Sequence, residues 1–142
     1  RARQFRADRG IANAIGPALV VKHFFPLLAR TGPCRAGFVS AKVGSIGDNA
    51  LGGWYGYRAS KAALNQIVRT AAIELARHNR QAVCVALHPG TVDTPLSQPF
   101  AKAALNVRPP DVAAQELLAV LASLTPAQSG GFFDYRGQAL PW

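Results

Sequence analysis

Tyr57 and Lys61 stand four residues apart at the opening of a long apolar-periodic segment. On a helix, positions so spaced lie one above the other on the same face. A phenol beside an ammonium is a proton-donating pair. An isolated tyrosine, with a pKa near ~10, is a poor acid or base at neutral pH. A neighbouring cation favours the phenolate and lowers that value. Bringing it to about 7 takes roughly 4 kcal/mol of differential stabilisation, at ~1.36 kcal/mol per unit. A lysine in water cannot supply that; a lysine in a dry cleft, helped by a bound cationic cofactor, can. Alone the pair is a weak signal, because a Tyr and a Lys on an exposed helix face have the same spacing.

Other stretches sharpen it. Tyr57-Arg-Ala-Ser-Lys61-Ala-Ala-Leu-Asn65 resembles the active-site helix of the short-chain dehydrogenase/reductase family. His88-Pro89-Gly90-Thr91-Val92-Asp93-Thr94 is similar to that family's Pro-Gly loop, which closes over the nicotinamide and the diphosphate. Ala12-Asn13-Ala14-Ile15-Gly16 is similar to the helix carrying its structural Asn. Val43-Gly44-Ser45-Ile46 ahead of Gly52-Gly53-Trp54-Tyr55, with the ending Gly137-Gln138-Ala139-Leu140-Pro141-Trp142, resembles the C-factor and sniffer-type carbonyl reductase branch. The resemblance runs from about Ile11 to Trp142.

The resemblance implies roles residue by residue. Tyr57 would give its proton to the developing alkoxide as general acid. Lys61 would lower the Tyr57 pKa and hold the nicotinamide ribose hydroxyls. Pro89, Gly90, Val92 and Thr94 would line the site of NAD or NADP, and Asn13 would hold a proton-relay water. A family serine orients the substrate oxygen from about a dozen residues before the tyrosine. Ser45 stands 12 before Tyr57 and fits by count. Aligning on the strand end and Gly44 puts Ala41 there instead, and Ser40 would point to the other face of the strand. We take Ser45 as the orienting residue. Tyr55 is followed four residues later by Ala59, so it reads as a pocket wall, with Trp54, Leu96 and Phe100 adding apolar character. His23, His78 and His88 form no cluster, and no metal site is expected.

Members of the family begin with a strand, a Gly-x-x-x-Gly-x-Gly turn and a helix that receives the cofactor pyrophosphate. That element is not in this sequence, nor is the acidic residue for the adenine ribose or the Asn-Asn-Ala-Gly-type strand end. Residues 1–142 therefore read as a single incomplete domain, the carboxyl-terminal half of such a reductase. The implied reaction is hydride transfer between NAD(P)(H) and a small carbonyl or alcohol. The alternative is a truncated remnant without catalysis, or a dimerising or signalling fragment.

The elements that must position these residues follow from periodicity. A helix is expected from Ile11 to about Arg30, with Ile11, Ile15, Leu19, Phe24, Phe25, Leu27 and Leu28 as its apolar face and Pro26 bending its far end. Ala36 to Val43 contains a short run suited to a buried parallel strand, and 44–53 is a Gly-rich loop. Trp54 to about Asn79 is the long active-site helix, burying Leu64, Ile67, Val68, Ala71, Ala72 and Leu75. Gln81 to Leu87 is a strand covered on both faces. By resemblance, Leu96 to Val107 is a lid over the substrate. Another helix from Pro109 to Leu124 turns Val112, Leu117, Leu118 and Leu121 inward, before a last strand at 130–135. The fold class is α/β: a partial doubly wound, Rossmann-like parallel sheet of about three strands with flanking helices, its amino-terminal half missing. The first strand would be a bare edge, and by resemblance the two long helices pair with a second subunit in a homo-oligomer.

Composition narrows the class. Hydrophobic residues make up 49% and charged residues 16%, which fits a packed chain rather than a disordered one. No apolar run reaches the ~18 residues of a membrane helix. The net charge of +9 is concentrated in residues 1–80, which hold 13 basic and three acidic side chains. They are scattered singly apart from the extreme start, with no basic stripe and interleaved aromatics, so no nucleic-acid partner is expected. Arg1-Ala-Arg-Gln-Phe-Arg6 precedes no apolar block and does not read as a secretory signal; a cut or misread gene start explains it more simply. Cys34 and Cys84 form no close-spaced pair, and reduced cysteines suggest the cytoplasm.

Overall fold

The computed structural model describes residues 11–93 and 107–142. A π-helical turn (Ile11–Ile15) runs into helix α1 (Gly16–Phe24), and a 3-10 turn containing Pro26 (Phe25–Leu27) follows. Strand β1 (Cys34–Val39) leads through a 3-10 turn (Lys42–Gly44) to the long helix α2 (Tyr55–His78). Strand β2 (Ala82–His88) comes next, then the two-residue strands β3 (Thr91–Val92) and β4 (Val107–Arg108). Helix α3 (Pro110–Ser123) and strand β5 (Phe132–Asp134) complete the order. Strands β1, β2 and β5 form one parallel sheet in the order β1-β2-β5. β3 and β4 pair separately, also in parallel.

β2 lies in the middle because it is apolar at every position from Ala82 to Leu87, all of them buried. Its alternation feeds two cores. Ala82, Cys84 and Ala86 face Leu64, Val68, Ala71, Ala72 and Leu75 of α2. Val83, Val85 and Leu87 face Leu117 and Val120 of α3. Each fully buried Val or Leu contributes roughly 1.5–3 kcal/mol. The small Ala71 and Ala72 let α2 settle close to the sheet.

Three expectations need correction. β1 begins at Cys34 and ends at Val39, and only Cys34, Ala36 and Phe38 pack inward; Arg35, Gly37 and Val39 are exposed. An edge strand has α2 over one face and little over the other. Arg35 uses its exposure to cap α3, donating to the carbonyls of Leu121 (3.0 Å), Ala122 (3.1 Å) and Leu124 (3.3 Å). On α3 the buried stripe is Ala113, Leu117, Val120 and Leu124, while Val112 and Leu118 are exposed. Ala113 takes a core position although Val112 beside it is larger and more apolar, because it falls on the helix stripe with Leu117 and Val120. On α1 no residue is buried: Val21 packs inward, as do Phe25 and Leu28 beyond it, while Ile15, Leu19, Val20, Phe24 and Leu27 face outward.

Candidate active site

The sequence places Lys61 in the second turn of α2, and the fold buries it, leaving 9% exposed. Its Nζ donates to the carbonyl of Val39, at the end of β1, at 3.1 Å. Burial penalises the ammonium and lowers its pKa from the usual 10.5. An ammonium carries three N–H donors, so one protein bond leaves donors for a hydroxyl-bearing ligand. Tyr57 is half-buried one turn earlier on the same helix face.

Gly44 explains how the loop before α2 reaches Lys61. A Cβ at Gly44 would lie 2.7 Å from Lys61 Cβ and 2.8 Å from its carbonyl carbon. Only a glycine allows the Lys42–Gly44 turn to press on the helix there, and Ser45 follows directly after that contact. Ser45 is 2% exposed, and its Oγ accepts the Asp48 backbone N–H at 3.0 Å. The hydroxyl holds the 45–48 turn and keeps its own proton to donate. Ser40 is committed elsewhere: its Oγ donates to Asn65 Oδ1 at 2.6 Å, inside the core face of α2. Ala41, the other alignment choice, is half-buried between them.

Asn13 sits in the π-helical turn and reaches α2 directly. Its Nδ2 donates to Ser60 Oγ at 3.1 Å, and Ser60 Oγ donates to the carbonyl of Tyr57 at 2.9 Å. Asn13 is thereby tied to the backbone of the residue expected to do the chemistry. Pro89, Gly90 and Val92 lie just past the end of β2, the strand paired with β1. Gly90 has φ +75°, and a Cβ there would lie 3.0 Å from the Tyr135 ring. Thr94, Leu96 and Phe100 lie outside the described residues. The site residues thus gather at the carboxyl ends of two adjacent parallel strands, where open α/β sheets bind ligands.

Two contributors were missed. Arg58 braces the loop around the helix start, donating to the carbonyls of Gly53 (3.0 Å), Gly52 (3.1 Å) and Val43 (3.3 Å). Trp54, just before α2, has φ +49°, so this loop needs the bracing. A lone Arg in a helix carries no sequence mark of such a task. His88 is the second. Burial pushes its imidazole down to about 4, with Asp134 pulling upward and Lys42 pushing down. Its Nδ1 is buried without a hydrogen-bond partner. Among the described residues no group of His, Cys, Asp and Glu is placed to hold a metal, and no helix is long and apolar enough to cross a membrane.

The structure thus holds a parallel α/β layer and, on the helix after β1, a tyrosine and a buried lysine one turn apart. The family model for the short chain dehydrogenase matches residues 11–104. The chain belongs to the short-chain dehydrogenase/reductase family. It is 39% identical over 130 residues to the C-signal of Myxococcus xanthus, covering 92% of this chain and 74% of that one. It is 35% identical to the 1-hydroxy-2-glutathionyl-2-methyl-3-butene dehydrogenase of Rhodococcus sp. (strain AD45), covering 92% of this chain and 55% of that one. The carbonyl reductase Sniffer of D. melanogaster superimposes with a TM-score of 0.81 at 28% identity, over 100% of this chain and 60% of that one. The NADPH-bound carbonyl reductase from chicken fatty liver gives 0.76 at 30%, over 96% and 58%. The chain spans little more than half of most of these proteins.

Proposed function

We propose that this chain carries the proton-handling half of an NAD(P)-dependent carbonyl reductase or alcohol dehydrogenase. The observation that carries the reading is Lys61: a buried amine, lowered in pKa and aimed at the end of β1, on the helix face of Tyr57. A bound nicotinamide cofactor supplies or accepts the hydride. Tyr57 passes the proton to or from the substrate oxygen, and Lys61 favours the phenolate and offers its remaining donors to ribose hydroxyls. Ser45 orients the oxygen, and Asn13 steadies the Tyr57 turn through Ser60. Pro89, Gly90, Val92 and Thr94 flank the nicotinamide end. The substrate is a small carbonyl or alcohol, and the reduced Cys34 and Cys84 suit the cytoplasm. The outward apolar face of α1 supports homo-oligomerisation through the helices.

The test is a titration of the protein with NADH and NADPH, followed by carbonyl reduction. Tyr57→Phe is expected to lower kcat about 100-fold or more while cofactor binding stays near wild type. Lys61→Met should weaken both. Saturable cofactor binding with a Tyr57→Phe variant as active as wild type would sink the assignment. A second reading, a dimerising or signalling fragment without catalysis, rests on the outward apolar residues Leu19, Val20 and Phe24 of α1. No saturable binding of either nucleotide would favour that reading.

A further inference from the structure

A short parallel ladder fastens the far end of the turn from Pro89 to Val92. β3 pairs with β4 over two residues, Thr91 with Val107 and Val92 with Arg108. One further bond runs from the Asp93 N–H to the Arg108 carbonyl at 2.9 Å. So short a ladder is marginal by itself. Among the described residues, an open hollow of about 650 Å³, lined by Val107, Pro109, Val112 and Arg136 among others, lies alongside β4.

The Arg108 side chain adds an attachment beyond the ladder. Its guanidinium lies over the Tyr135 ring, 3.6 Å from the centroid. Its Nη2 donates to Glu116 Oε1 on α3, forming an ion pair. The two side chains are only 18% and 31% exposed, so solvent screens them less than a surface pair. Arg108 Cδ and Tyr135 together wall in Gly90, where a Cβ would meet them at 3.3 and 3.0 Å. One side chain therefore joins β4, α3, the residue after β5 and the Gly90 turn. It does so although Arg108 Nε and Glu116 Oε2 are buried without partners. An unsatisfied buried polar atom costs about 1–3 kcal/mol, so the stacking and the ion pair must outweigh a real penalty. Only a planar, always charged fork can stack and pair at once; a lysine can pair but cannot lie flat on the ring.

We propose that Arg108 is a positioning residue: by bridging Tyr135 and Glu116 it sets the Pro89–Val92 turn in the conformation that receives the nicotinamide end of the cofactor. This rests on the cofactor-loop reading above. The test compares Arg108→Met, Arg108→Lys and Glu116→Gln by amide hydrogen exchange and cofactor titration. In Arg108→Met the Asp93 amide should exchange about 10-fold faster while the β2 amides keep their protection. Arg108→Lys should recover part of the loss, and Glu116→Gln should lie between. The cofactor KM should rise about 5-fold or more with kcat within twofold, because the turn binds and does not react. Unchanged Asp93 exchange would overturn the proposal, as would a uniform loss of protection across β2. Faster Asp93 exchange with an unaltered cofactor constant would overturn it too. If Arg108→Met does not fold, the same comparisons are read from Glu116→Gln. If wild-type protein binds no nicotinamide cofactor, the cofactor reading fails and this proposal with it; an Asp93 contrast that persists then marks Arg108 as structural.

Discussion

Lys61 and His88 are both bases that burial drives toward the neutral form, and the consequences have a definite sign. His88 titrates at about 4 when folded against the usual 6.5. Between those values the unfolded chain binds a proton that the folded chain refuses, so stability rises with pH across the window. Acidifying from pH 6.5 to 4 should therefore remove about 3 kcal/mol, an order-of-magnitude figure. His88→Gln should flatten that loss, measured as urea midpoints at neutral and acidic pH. Parallel acid loss in wild type and variant would assign it to other groups. Lys61 runs the same way at alkaline pH: its cost to the fold shrinks as pH rises through its lowered folded value. Ser45 can be separated into two roles. Ser45→Ala removes the bond to Asp48, costing about 1 kcal/mol of stability. If its proton also orients substrate, kcat should fall by about 10-fold or more beyond that effect. Unchanged kcat beside a lower melting temperature would leave Ser45 as a turn former alone.

At the element scale, the start of α2 is the precise joint. The Lys42–Gly44 turn touches the helix backbone at Lys61, where there is no room for a methyl group. Gly44→Ala should destabilise by about 1–3 kcal/mol, as overpacking does, and should weaken cofactor binding more than the distant Gly52→Ala. Gly52 makes a useful control because its φ of +64° carries backbone strain but a Cβ there meets nothing within 4 Å. Equal effects on binding would argue against a seating role for Gly44. The helix itself was legible: Leu64, Val68, Ala71, Ala72 and Leu75 keep helical spacing over about three turns and all are buried. The inward face of α3 differs from expectation because Leu118 and Val112 are more apolar than Ala113, yet the buried stripe runs through Ala113, Leu117 and Val120. β3 and β4 were not visible at all. Two residues carry no period, and their pairing spans 15 intervening positions.

On the scale of the molecule, the outward faces set the questions. Leu19 and Phe24 on α1 are 49% and 60% exposed, beside Ile15 and Val20. On the proposed homo-oligomer reading, these exposed apolar residues are the surface to test. Leu19→Asp combined with Phe24→Asp should convert an oligomer to monomer in light scattering while leaving the melting temperature of the α2 core nearly unchanged. A wild-type protein already monomeric at high concentration would remove the basis for that surface. The β1 edge is the second such feature: Val39 is exposed, Arg35 caps α3, and Gly37 lies against Leu87 and Leu121. The order β1-β2-β5 puts this strand at a boundary of the sheet, with one side unpaired.

What the amino-acid order determined alone was whatever depends on neighbours in the chain. The four-residue step from Tyr57 to Lys61, the all-apolar run of β2 and the Pro89-Gly90 turn are local, and helical or strand periodicity converts each into a direction. The tertiary structure decided what depends on distances between segments. It buried Lys61 against Val39, committed Ser40 to Asn65, set Gly44 on the helix and drew Arg108 onto Tyr135. Each of these joins residues separated by 17 to 27 positions, so no spacing rule reaches them. Packing selects them, because only the folded chain shows which side chain is nearest and which is left without water.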